Sequence, residues 1–242
     1  MGTRERETNM IAFSHYEWKN GKIGDLDRQF PTYLSAWDSA LILPYYDTHY
    51  VYVHEGQALL EHEGRAHALY KGMFAVVPGL ARISHGKGIV VSRQEYFGMF
   101  QIGGPVEWEG RLKYIDGCTD TLLAAPARFG DPCLNLLYFP RGIDQTAHTH
   151  PSDRIGMIMT GKGRCHAWNN GEEEIIDLIP GMIFCIHTDG PHKFSTPYGE
   201  DMRVLAYHPD SDFGPTDEVH PMINRTIVNG VSASKIPEIR TK

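Results

Sequence analysis

No apolar run in the chain approaches the ~20 residues of a membrane-spanning helix. The opening residues, MGTRERETNM, are polar and lack the apolar core of a secretion signal. Gly2 suggests myristoylation, but Arg6 stands where that motif needs Ser or Thr. Positive charge is also short: the formal net charge is −7, the wrong sign for a nucleic-acid surface. The 4 cysteines (Cys118, Cys133, Cys165 and Cys185) make no C-x-x-C pair. This fits a reduced, cytoplasmic protein rather than a disulfide scaffold. In such a chain the Asn224-Arg225-Thr226 triplet carries no glycan. Long helical periodicities are few. The expected partners therefore include neither nucleic acid nor membrane.

What is plentiful is glycine (25), proline (15) and short apolar runs, within a hydrophobic content of 41%. That composition favours an all-β chain with many turns. Its 242 residues suffice for one large domain or two small ones. A repeat supports two. HYVYVHEGQALLEHEGRAHALYKGMFAVVPG parallels RIGMIMTGKGRCHAW…IPGMIFCIH, so that His49–Gly56 falls on Arg154–Gly161 and Gly72-Met73-Phe74 on Gly181-Met182-Ile183. Leu134–Phe139 and Arg203–His208 read as strands, and Asn169-Asn170-Gly171 as a tight hairpin turn.

The chemistry concentrates between Gly142 and Thr196. His148 and His150 are one residue apart, a spacing that sends both imidazoles to one face of a strand. Imidazole suits Fe, Cu, Zn and Ni. About forty residues later, GMIFCIHTDGPHKFST carries His187 and His192, and a turn there can return a third imidazole to the first two. The competing reading is of surface and turn histidines. His187 reads as a strand-end or hydrogen-bonding residue more than as a ligand. On a regular strand Arg154 shares the face of His148 and His150. It cannot ligate, and a guanidinium beside a dication is repulsive unless an anion lies between them. A substrate carboxylate or phosphate would be that anion; the alternative is an ordinary pair with Asp153. A strand bulge would instead offer Asp153 itself to the metal. Trp168, Phe184, Tyr207 and His208 are core residues that can also line a cavity.

These two blocks resemble the paired motifs of the cupin superfamily. Gly142, His148, His150 and Gly161 match the first motif, with Arg154 at its Glu position. Gly181 and His192 match the second, with His187, Asp189 and Thr196 replacing its Pro, Gly and Asn. The resemblance implies double-stranded β-helix barrels, with His148, His150 and His192 as metal ligands. With the repeat, it implies two tandem barrels, a bicupin. In the first copy Leu43 falls on His148, Tyr45 on His150 and roughly Ile83 on His192, so that barrel should hold no metal. The expected layout is an arm (1–30), a first barrel (31–105), a connecting segment (106–133), a second barrel (134–208) and a tail (209–242). The tail's Asp210, Asp212, Asp217 and Glu218 read as a solvated acidic stretch.

Three functions follow as expectations. The leading one is a mononuclear non-haem iron oxygenase, resembling the cupin dioxygenases in ligand type, with Fe(II) favoured over Zn, Ni, Mn or Cu. Arg154 would anchor a small anionic substrate. The second is a metal-dependent isomerase or lyase, with His187, Tyr207 or His208 as general base. The third is a non-catalytic small-molecule-binding bicupin. A homodimer is expected by analogy only.

Overall fold

The computed structural model describes residues 10–27, 29–212, 216 and 220–241. Asp217 and Glu218 of the acidic tail, and residues 1–9 of the arm, lie outside them. Short strands dominate, joined by turns that use left-handed residues. At the predicted hairpin, Asn170 (φ 55°) and Gly171 (φ 83°) are both left-handed, the geometry a two-residue turn requires. That turn joins strands Gly163–Asn169 and Glu172–Leu178.

The strands form two barrels, each a large antiparallel sheet facing a smaller one. In the first, a six-stranded sheet centred on Thr48–Glu55 and Lys87–Arg93 faces a four-stranded sheet. In the second, a seven-stranded sheet centred on Arg154–Gly161 and Met202–His208 faces a three-stranded one. The two large sheets pack against each other. Tyr50, Tyr52 and Val91 of the first meet Ile155, Leu205 and Tyr207 of the second in one buried core. Central strands are thus covered on both faces, which is why they read as continuous apolar runs rather than alternations. Parity still decides where each side chain goes. In Met202–His208, Met202 and Val204 enter the second barrel, whereas Leu205 and Tyr207 enter the core between barrels.

The repeat recurs bond for bond. Gly72 N donates to Val53 O at 2.8 Å, and Gly181 N donates to Ile158 O at 2.8 Å. Val53 N donates to Met73 O at 3.0 Å, and Ile158 N to Met182 O at 2.9 Å. Both glycines are left-handed (φ 85° and 87°), which explains their recurrence. Leu43 pairs with Ala81 as His148 pairs with His192. Leu43 is therefore the counterpart of His148 as read, whereas the counterpart of His192 is Ala81, two residues before the expected Ile83. Trp37, Leu43, Leu60, Leu69, Ala81 and Ile83 fill the first barrel's interior.

Two segments depart from their expected roles. Phe13–Tyr16, read as part of an arm, pairs with Ile183–Ile186 at the edge of the second barrel's large sheet. Gly21–Leu26 joins the first barrel. Thr119–Ala124, read as connection, pairs with Cys133–Phe139. The first two are edge strands and the third lies next to the edge; their pairing is set by tertiary structure, so local pattern underdetermines them. No helix among the described residues is long and apolar enough to cross a membrane.

The Tyr50 and Tyr207 rings, 4.8 Å apart at their centroids, join the two large sheets. Tyr207→Ala should lower unfolding free energy by about 3–5 kcal/mol in urea denaturation. A loss under about 1 kcal/mol would mean that this contact does not hold the barrels together.

Candidate metal centre

His148, His150 and His192 each bring one ring nitrogen to within 4.8 Å of the others. Ring centroids are 5.0 Å apart for His148 and His150, 4.6 Å for His148 and His192, and 5.2 Å for His150 and His192. No continuous strand carries the first pair. His148 forms an isolated bridge with His192, and the chain from 149 to 153 is irregular, interrupted by Pro151. The bridge is reciprocal: His148 N donates to His192 O at 2.9 Å and His192 N to His148 O at 3.0 Å.

The surroundings select a tautomer. His148 Nδ1 lies 2.8 Å from Thr146 O, and His192 Nδ1 lies 3.0 Å from Gly190 O. A carbonyl only accepts, so each Nδ1 carries the proton and each Nε2 keeps its lone pair. This is the arrangement metal-binding histidines use. Burial, reinforced by the Arg154 charge, lowers the His150 pKa to about 2. Burial likewise lowers that of His192 to about 4, against the opposing bond to Gly190. Neutral imidazoles with oriented lone pairs fit a transition-metal cation.

The trio opens on a cavity of about 410 Å³. Phe139, Phe184, Phe194 and Val204 give it apolar walls, and Arg154, Asp120 and His208 give it polar points. Arg154 is braced from behind. Its Nη1 donates to Ser152 O (3.0 Å), Ser152 Oγ (2.6 Å) and Asp153 O (3.2 Å), and lies 3.9 Å from Asp210. Its Nε is buried and has no hydrogen-bond partner among the described residues.

Three expected site residues fall elsewhere. Tyr207 is fully buried in the core between barrels, because strand parity turns it away while its neighbour His208 faces the cavity. His187 turns outward too, with Nε2 2.8 Å from Ser14 Oγ. Asp153 does not line the cavity; it binds Thr188 N and Oγ1 at 2.8 and 2.9 Å. Phe184 lines the cavity, whereas Trp168 does not. Two residues were missed. Tyr114 Oη lies 3.5 Å from His148 Nε2. Asp120 accepts from Asn135 Nδ2 at 2.6 Å, its other oxygen is buried with no hydrogen-bond partner among the described residues, and burial raises its pKa. Both come from the supposed connecting segment and carry no motif.

The lowered histidine pKa values give a signed prediction for metal-free protein. Burial also holds His208 well below its ordinary value. From about pH 6.5 downward the unfolded chain binds protons that these native imidazoles refuse. Stability should therefore fall as pH drops toward about 4, by about 1.4 kcal/mol per pH unit for each withheld proton. In urea titrations across that range, His192→Gln should reduce the slope by about one proton; an unchanged slope would contradict the assignment.

No family model matches the chain, and no curated protein does. Solved structures match its shape. A cupin 2 conserved barrel domain protein from Leptotrichia buccalis has a TM-score of 0.52 at 12% identity, covering 86% of this chain and 91% of its own. Bacillus subtilis oxalate decarboxylase, in a structure concerned with its Mn(II) centres, scores 0.52 at 12%, covering 84% and 76%. A salicylate 1,2-dioxygenase mutant from Pseudoaminobacter salicylatoxidans, in complex with gentisate, scores 0.55 at 9%, covering 74% and 68%. At these identities the likeness is one of fold. The chain thus shares the cupin fold, here as two tandem antiparallel barrels.

Proposed function

We propose that this protein is a mononuclear non-haem iron oxygenase, of dioxygenase type, acting on a small anionic organic substrate. One observation supports the reading above others: three imidazoles and one guanidinium face a single apolar cavity. His148, His150 and His192 would hold the cation, with Fe(II) favoured over Zn, Ni, Mn or Cu. When bound, such an ion supplies positions for substrate and dioxygen and carries the redox chemistry.

The chain's own residues do the rest. Three imidazoles bring no negative charge, and Asp120 is the one carboxylate among the described residues lining the cavity. A dication and the Arg154 guanidinium would then leave the cavity strongly positive, and an anionic substrate cancels that charge. Arg154 is held on its Nη1 side and lines the cavity, where its guanidinium can donate to a carboxylate. Phe139, Phe184 and Phe194 would take the substrate's apolar body and exclude water. Tyr114 Oη, beside His148, stands where it can donate to a substrate oxygen. The cavity's volume suits one small molecule. A structural neighbour that binds gentisate, an aromatic carboxylate, agrees at the level of fold only.

A second reading, lyase or isomerase chemistry, rests on Asp120. A carboxyl with a raised pKa on the cavity wall is a suitable general acid or base, and a decarboxylase shares the fold.

Protein purified without chelators should contain iron and consume oxygen with a small carboxylate, while His148→Ala should lose the iron and keep its circular dichroism. Turnover without oxygen would transfer the assignment to the second reading. Arg154→Met should keep the metal and weaken carboxylate ligands by about 1.5–3 kcal/mol. Equal affinity of both proteins for every anion tested would remove the anchor.

A further inference from the structure

The described residues hold a second cluster of ligating side chains, unrelated to the cavity. Asp153, Cys185 and His187 bring one donor atom each within 4.8 Å of one another. Parity separates this cluster from the first. Phe184 and Ile186 face the cavity, whereas Cys185 lies in the core between barrels. The donor triangle has sides of 3.6 Å (Cys185 Sγ to Asp153 Oδ2), 3.7 Å (Cys185 Sγ to His187 Nδ1) and 3.9 Å (His187 Nδ1 to Asp153 Oδ2). With bonds of about 2.3 Å to sulfur and about 2.0–2.1 Å to nitrogen and oxygen, a tetrahedral Zn(II) ion needs separations of roughly 3.3–3.6 Å. The triangle closes on such an ion with shifts of a few tenths of an ångström.

Each donor is already oriented by a neighbour. His187 Nε2 lies 2.8 Å from Ser14 Oγ, which can accept its proton and leave Nδ1 as the lone pair facing Cys185 and Asp153. Asp153 Oδ1 takes two bonds from Thr188, and Oδ2 takes the Asp27 N–H at 3.2 Å and the thiol. Asp153 is 5% exposed, and its one ion-pair contact among the described residues is His187. The neighbouring Arg154 guanidinium meets its charge only at longer range, and no Lys or Arg among the described residues forms an ion pair with it. The adjoining groove, about 800 Å³, is lined among the described residues by Asp25, Asp27, Asp153 and His187.

We propose that Asp153, Cys185 and His187 form a second metal site, for a thiophilic divalent cation of the Zn(II) class, with its fourth position open to the groove. The thiol is protonated in the metal-free protein, where Sγ donates to Asp153. Binding replaces that proton: Cys–SH and M²⁺ give Cys–S⁻–M²⁺ and release H⁺. Carboxylate, thiolate and dication then sum to zero charge. Ser14, on the strand Phe13–Tyr16, and Asp27, which follows Gly21–Leu26, both bond to ligands of this site. The ion therefore clips the N-terminal segment to the second barrel.

The test loads the full chain, reduced, with Zn(II) and separately with Co(II). Cys185→Ala should bind one equivalent fewer than wild type. A near-ultraviolet thiolate-to-Co(II) charge-transfer band should appear in wild type and in His148→Ala and vanish in Cys185→Ala. Asp153→Asn keeps the thiol and should weaken Zn(II) binding about tenfold or more, with circular dichroism checking that it folds. Persistence of the band in His148→Ala separates this site from the oxygenase reading, whatever becomes of that reading. No band in wild type, or equal stoichiometry in wild type and Cys185→Ala, would overturn the proposal and leave a Cys–Asp hydrogen bond.

Discussion

The reciprocal backbone bridge between His148 and His192 is the contact on which the site depends. Two of its three imidazoles sit on an irregular segment, and ordering each such residue costs about 1–2 kcal/mol of backbone entropy. That cost is met by a row of bonds against the strand His192–Ser195 and the residue that follows. Gln145 N donates to Phe194 O at 3.0 Å, and Gln145 Oε1 accepts from Phe194 N at 3.2 Å. Ile143 N donates to Thr196 Oγ1 at 3.1 Å, and Thr196 N returns a bond to Ile143 O at 2.9 Å. The bridge closes this row at its far end. The same contact sets the ring tautomers, because it holds the Thr146 and Gly190 carbonyls beside each Nδ1. Fold and ligand chemistry meet in those few bonds.

Burial of the large sheets on both faces has a second consequence. Every residue of the central strands must choose between the barrel interior and the core between barrels, and adjacent residues choose oppositely. His208 faces the cavity and Tyr207 the neighbouring barrel. Phe184 and Ile186 line the cavity, and Cys185 lies behind them. Two chemically distinct environments are thereby built within one strand's thickness. One is apolar with neutral nitrogens and a guanidinium; the other joins a thiol, a carboxylate and an imidazole.

The sequence carried the fold and the histidine trio well, because both rest on spacing. The copies keep their register through glycines that need left-handed backbone, and those positions survive in the text of the chain as Gly72 and Gly181. The ligands stand at fixed distances from them. Parity was harder to read. Strands covered on both faces show no alternation, so nothing local tells Tyr207 from His208, and the sequence offers both as candidates although only the second lines the cavity. Arg154 reached the cavity although the strand through Ser152 is broken, since its own strand begins at that residue. Tyr114 and Asp120 were out of reach for another reason. They enter through Leu112–Lys113, Thr119–Ala124 and the turn between them, edge elements that only tertiary pairing defines.

The asymmetry between the copies follows from what fills each barrel. In the first, Leu43 and Ala81 occupy the bridge that His148 and His192 occupy in the second. His49, at the place of Arg154, is buried and satisfied by Ser92 Oγ and Pro44 O. The bridge and the Arg154 position of the metal centre thus have apolar or self-satisfied counterparts, and the interior closes around Trp37. A hollow barrel forgoes the packing that a filled one gains. Through the shared core the filled copy covers the outer face of the sheet whose other face lines the cavity of the hollow one.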